Sequence, residues 1–207
     1  IPLGLMFGII AALKRNTWID STISVFVILF ISVPSFVFAS LLQYMLTFVW
    51  PIFPTLYDST ATTLGAMMWS LTLPIIALSL SPIATLTRYL RGELIENISS
   101  DYILLARTKG LSRPQAIVRH AFRNSMMPIT STLVSLITGI MGGSLVVESM
   151  FAIPGTGGML VKSIFAGDHF LTVAILIFYS AISLVTILVV DLSYSLIDPR
   201  VRVGGGK

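Results

Sequence analysis

The sequence predicts an all-α membrane protein, a bundle of transmembrane helices, on three observations. Of 207 residues, 55% are hydrophobic and only 11% charged, too little polar surface to cover a soluble globule. Long charge-free runs divide the chain: Ser21 to Tyr57, Ser59 to Thr87, Asn124 to Val147 and Phe170 to Val190, of 37, 29, 24 and 21 residues. A helix needs about 20 apolar residues to cross roughly 30 Å of hydrocarbon, so each run can hold one span. The runs lack the apolar–polar alternation of barrel strands and are far longer than such strands, which selects helices.

The opening residues, IPLGLMFGIIAAL, stay apolar for 13 positions before Lys14 and Arg15. At 1.5 Å per residue that is about 20 Å, too short to cross. The expectation is a helix that starts upstream, with five spans visible of six; a re-entrant or cleaved segment is the alternative. Lys14 to Asp20 reads as a charged turn with an interfacial tryptophan, Trp18. The next span, within Ser21 to Trp50, contains Pro34, which should kink it. Trp50 to Asp58 is an aromatic, proline-rich interfacial loop. The third span, about Thr63 to Leu90, carries Pro74 and Pro82, which a membrane helix tolerates.

Asp101 to Pro128 is a polar island between spans, and residues 99–125 read as a cytoplasmic coupling loop within a single transmembrane domain, 1–207. Ser99 or Ser100 can cap a short helix with Asp101 in its first turn and Arg107 and Lys109 in its last, and Gly110 supplies a left-handed stop. Ser112 and Gln115 have the spacing of a capping box and Pro114 falls in the first turn of a second helix. The island is two helices with a glycine elbow. Arg107, Lys109, Arg113, Arg119 and Arg123 stand against Asp101 alone, a formal +4 that equals the net charge of the whole chain.

A further span, about Met127 to Val147, holds a GxxxG step, Gly139 to Gly143, a spacing that Gly4 and Gly8 repeat; close helix approach within the bundle is the expected use. A loop from Glu148 to Phe170 has room for a short helix over 158–165. The last span, about Leu171 to Ile197, ends in Asp198-Pro199-Arg200. Placing Lys14, Arg15, Arg88 to Arg123 and the C-terminus on one side puts 12 of the 13 Lys and Arg there, leaving Lys162 outside. That asymmetry makes the island cytoplasmic. Charge beside spans reads as orientation, and nucleic acid is not an expected partner.

Several chemistries are excluded. There is no cysteine, hence no disulfide and no thiol site. Lys162-Ser163 lacks the glycine spacing of a phosphate loop. His120 and His169 fall in segments assigned to opposite sides, so no metal site or histidine-based catalytic pair is expected. Glu148 and Asp191 are the carboxylates nearest to span interiors, and are the candidates for an ion pathway or gate. Both lie toward span ends, so local pairing or capping is the other reading. The island itself suggests a lever gripped by a soluble partner; attraction of its cations to anionic membrane lipid is the alternative.

Asp101-Tyr102, Ala106-Arg107-Thr108-Lys109-Gly110-Leu111, Arg119-His120-Ala121-Phe122-Arg123-Asn124 and Pro128 resemble the coupling loop of permease subunits in ATP-binding-cassette importers of the oligopeptide and dipeptide type. Pro2-Leu3-Gly4, Pro34-Ser35-Phe36, Glu148 with Pro154-Gly155-Thr156-Gly157, and Asp191 through Arg202 agree in order. The Arg-His-Ala-Phe-Arg-Asn string is more similar to the B-type subunit than to its C-type partner. Two departures stand, both similar to the peptide branch: the general importer motif opens Glu-Ala-Ala, where this chain has Leu104-Leu105-Ala106, and the stretch from Gly110 to Pro128 is longer than in the general motif. The resemblance implies a permease without an ATP site of its own. Its partners would be a C-type permease subunit, two ATP-binding subunits carrying ATP and magnesium, and an extracytoplasmic peptide-binding protein. It also implies that the helix beginning at Asp101 docks in an ATPase cleft, with Tyr102, Leu105 and Ala106 as apolar contact, Arg107 and Lys109 as polar rim, and Gly110 with Leu111 as the turn. An ion-coupled carrier or channel using Asp191 or Glu148, a lipid- or scaffold-binding anchor, and an importer of nickel or another non-peptide cargo are the competing readings.

Overall fold

A computed structural model describes residues 1–141 and 143–197, without the side chains of 138–141 and 193–197. Helices α1 (Pro2–Leu13), α2 (Trp18–Ser32), α3 (Ser35–Gln43) and α4 (Leu64–Ile98) come first, α3 running on into a π turn, Tyr44–Val49. They are followed by α5 (Asp101–Thr108), α6 (Arg113–Ala116) with a π turn at Ile117–Phe122, α7 (Arg123–Met141), α8 (Leu145–Met150), α9 (Thr156–Ala166) and α10 (His169–Ile197). The described residues contain no strand.

The prolines divide into two kinds. Pro34 takes an extended conformation (φ −57°, ψ 141°) and separates α2 from α3, whereas Pro74 and Pro82 lie inside an unbroken 35-residue α4. α4 and the His169–Leu192 part of α10 are long and apolar enough to cross a membrane, and the α2–α3 pair makes a third span if counted as one. α1, at 12 residues, is too short. α7 begins at Arg123, four residues before the expected start of its span, so its first turn is polar and the described helix is less apolar than α4 and α10. Five separate spans are therefore not what the described helices give.

The chain clusters into two compact units. One comprises residues 1–31, 82–136 and those described from Ile187 onward; the other comprises 32–81 and 137–186.

In the first unit, α1 lies on α4. A Cβ on Gly4 would stand 2.8 Å from Leu86 Cβ and 2.9 Å from the Ile83 carbonyl, and one on Gly8 2.9 Å from Leu90 Cβ. The small-residue spacing thus serves close packing within the bundle, which any side chain would wedge apart. Gly4 meets 83 and 86 while Gly8 meets 87 and 90, so α1 and α4 run in the same direction, as they must if both descend toward one membrane face. The Thr87 hydroxyl donates to the Gly4 carbonyl at 3.1 Å. Leu86, Leu90 and Leu94 of α4 then form a core with Ala12, Ile103, Ala106, Ala116, Ala121 and Ile129.

In the second unit, Phe151 is fully buried among Ala39, Leu73, Ala77 and Val147. Its carbonyl accepts the Tyr57 N–H at 2.8 Å, Phe53 stacks on Trp69 at 4.4 Å between ring centroids, and Gln43 donates to the Thr55 carbonyl. The aromatic loop after Trp50 is held by these contacts. Thr60 donates its hydroxyl and its N–H to Asp58 Oδ1, which holds that exposed carboxyl below its usual range. Gly167 (φ +68°) stops α9, and Asp168 caps α10 by accepting the Leu171 N–H at 3.0 Å.

Candidate coupling site

The island folds as two helices around Gly110. That residue sits at φ +93°, where an L side chain is strained. The Gly110 N–H bonds the Arg107 carbonyl at 3.0 Å and the Leu111 N–H bonds the Ala106 carbonyl at 3.2 Å. These are the paired bonds of a Schellman motif, and Leu111 packs on the same core as Ala106, completing it. One residue later the Ser112 N–H donates to Gln115 Oε1 at 3.0 Å, half of a complete capping box with Pro114 in the first turn. Ser100 occupies the N-cap of α5, but its hydroxyl turns back to the Asn97 carbonyl at 2.5 Å and does not cap. The Tyr102 hydroxyl likewise bonds Asn97 Oδ1, so α5 is stitched to the last turn of α4.

The period of α5 sorts its residues. Ile103 and Ala106 face inward at 5% and 8% exposure, while Tyr102, Leu104 and Leu105 face outward at 37%, 61% and 56%. Ala106 therefore anchors the helix to its own core, which corrects its assignment as a docking contact. Leu104, which the sequence reading left out, joins the outer apolar face. Asp101, Arg107, Lys109 and Gly110 are exposed around it, and Leu111 is half-buried. Arg113, Arg119, His120 and Arg123 are also exposed. α5 thus keeps two leucines and a tyrosine outward, beside cations that make no ion pair among the described residues.

Glu148 and Asp191 fall in different units. Glu148 Oε1 accepts the Ser144 N–H at 2.9 Å, and Oε2 accepts those of Gly157 and Gly158 at 2.9 and 3.3 Å. The carboxylate thereby satisfies donors at the starts of both α8 and α9, where the helix dipoles also favour negative charge. Gly143, Gly155 and Gly157 make room for it: a Cβ on Gly155 would stand 2.2 Å from Oε2, and one on Gly143 2.3 Å from Oε1. The capping alternative thus accounts for Glu148 geometrically. Asp191 is exposed on α10 and makes no ion pair among the described residues. Asp198 and the segment after it lie outside the described residues.

The sequence reading missed one constellation. Asp20, 4% exposed near the start of α2, receives Arg91 of α4 in a two-pronged pair, Nε to Oδ1 at 2.6 Å and Nη2 to Oδ2 at 2.8 Å. Asp20 Oδ2 also accepts the Asn16 N–H at 3.0 Å. The two residues are 71 apart in sequence, and nothing local pairs them; the signal available was only that Asp20 and Arg91 sit at the edges of apolar runs.

Comparison with known proteins gives the family of the chain. Residues 4–203 match the family described as binding-protein-dependent transport system inner membrane component. The dipeptide transport system permease protein DppB of Lactococcus lactis subsp. cremoris is 40% identical over 200 residues, covering 97% of this chain and 64% of that protein. Its counterpart in Bacillus subtilis is 39% identical over 199 residues (96% and 62%). The oligopeptide transport system permease protein OppB of Salmonella typhimurium is 34% identical over 204 residues (98% and 64%). The chain spans less than two thirds of the length of these relatives. It belongs to the binding-protein-dependent transport system inner membrane component family.

Proposed function

We propose that this chain is part of the B-type membrane subunit of an ATP-driven importer of dipeptides or oligopeptides, and that it receives work from separate ATPase subunits through the loop 101–125. The observation that carries the reading is α5 itself. A Schellman elbow and a capping box fix its shape, two inward residues fix its seat, and an apolar face with a basic rim is left outward. Lipid attraction alone would require charge but none of this geometry. The names of the relatives point to peptide cargo.

In this reading Tyr102, Leu104 and Leu105 enter the ATPase cleft, Arg107 and Lys109 pair at its rim, and Gly110 with Leu111 sets the angle. Asp101 begins the helix, and Ala106 holds it from behind. ATP and magnesium belong to the two partner ATPases; a C-type permease and an extracytoplasmic peptide-binding protein complete the assembly. The loop and the C-terminus are cytoplasmic, in a bacterial plasma membrane.

The test is reconstitution of the full-length subunit with these partners in proteoliposomes. Uptake of a radiolabelled dipeptide should require ATP and the ATPase subunits, and Leu105→Asp should abolish it while insertion is retained. Uptake that follows a proton or sodium gradient without nucleotide would overturn the reading.

A further inference from the structure

We propose that Asp20 and Arg91 are positioning residues of the coupling device: they hold the C-terminal half of α4, and through it α5, at one angle to the α1–α2 turn. The inference rests on the coupling role proposed above and adds a second, internal part to it.

Two contacts tie the start of the chain to α4, and they do different things. The Gly4–Gly8 seam brings two backbones close, and the Thr87 hydroxyl ties α4 to the Gly4 carbonyl, but both hold α1 alone; neither reaches the Asn16 turn or the start of α2. The guanidinium fork on a carboxylate is planar and directional, so it permits one orientation. Asp20 is 4% exposed beneath an Arg91 side chain that is itself 32% exposed, so the guanidinium covers the carboxylate and turning the fork away would break both charge-assisted bonds at once. The third donor, the Asn16 N–H, comes from a turn in which Asn16 itself takes φ +62°. One carboxylate thus joins the turn, the start of α2 and the side of α4.

Stability does not explain the pair, because buried ion pairs can commonly be replaced by apolar residues of similar volume at little or no cost. What the pair supplies is a fixed angle, and its location gives that angle a use. Arg91 lies seven residues before Ile98, the end of α4, and only Ser99 and Ser100 separate α4 from α5. Asn97 then binds both Ser100 and Tyr102. A continuous set of directional contacts runs from the Asn16 turn through Asp20, Arg91 and the end of α4 into the docking helix, all inside one compact unit. A push on α5 reaches the Asn16 turn and α2 as well as α4 and α1, where without the fork it would reach α1 alone.

The experiment compares two changes in the full-length subunit, assembled with its partners in proteoliposomes: Arg91→Lys, and the apolar pair Asp20→Leu with Arg91→Met. Radiolabelled dipeptide taken up per ATP hydrolysed is measured beside the amount of assembled complex and its thermal unfolding. Arg91→Lys keeps the charge and loses the fork; the apolar pair keeps the packing and loses both. The expected result is assembly and unfolding close to the parent for these two, with dipeptide moved per ATP reduced about fivefold or more. A parental ratio in either, or a fall in uptake and hydrolysis proportionate to lost complex, overturns the inference. Leu105→Asp is run in parallel. If it uncouples while the Asp20 and Arg91 variants do not, only this inference fails; if it leaves uptake and hydrolysis linked, the coupling reading itself fails.

Discussion

The elbow at Gly110 and the loop around Glu148 both stand where one short helix gives way to the next, and glycine serves different ends in them. At Gly110 the backbone needs φ +93°, yet a Cβ there would find no atom within 4 Å. Around Glu148 the glycines are crowded, with a Cβ at Gly155 meeting the carboxylate at 2.2 Å and one at Gly157 meeting Leu145 Cα at 2.7 Å. The first turn is demanded by conformation alone and is open to the surroundings; in the second, Gly143 (φ +67°) adds the same demand, but the crowding at Gly155 and Gly157 is one of packing. Open space beside a rigid turn is what a partner can use, and a carboxylate saturated by backbone donors is what a scaffold uses.

This contrast can be broken at either end. The larger effect on stability belongs to Glu148→Ala, which strips the Ser144, Gly157 and Gly158 N–H groups of their acceptor and should cost roughly 3 kcal/mol. Thermal unfolding followed by tryptophan fluorescence reads it. An unchanged midpoint, with loss of any gradient-driven flux, would restore the ion-pathway role. Gly110→Ala should cost only about 1 kcal/mol, from the positive φ alone, while dipeptide uptake per ATP falls because α5 is tilted. A large drop in stability there would mean the elbow is a packed scaffold like the other.

What the sequence made legible follows the range of the physics. The elbow was readable because its signals are local: a glycine after a basic last turn, serine three residues before glutamine, proline between them. The Pro34 break was readable for the same reason, whereas the continuity of α4 through Pro74 and Pro82 depends on its setting. Ala106 was misplaced because a motif carries no facing direction; the 3.6-residue period of α5, with Ile103 three residues earlier, would have put it inside. For Glu148 local capping was one of two alternatives, and only the Ser144 donor is local; the other two lie nine and ten residues on. The cluster Gly155-Thr156-Gly157-Gly158 was the available clue. Asp20 and Arg91 meet only through the packing of α1 and α2 on α4, which no short pattern encodes. The π turns at Tyr44–Val49 and Ile117–Phe122 carry no composition that distinguishes them from ordinary helix.

The absence of cysteine from the chain gives a direct test of the outward face of α5. Leu105→Cys and Ile103→Cys are placed singly in the full-length subunit and exposed, in inside-out vesicles with the ATPase subunits present, to a short thiol cross-linker. The account predicts that Leu105→Cys joins an ATPase subunit and Ile103→Cys does not. A Leu105→Cys that reacts only from the external medium, or that never reaches an ATPase subunit while Ile103→Cys does, would contradict it.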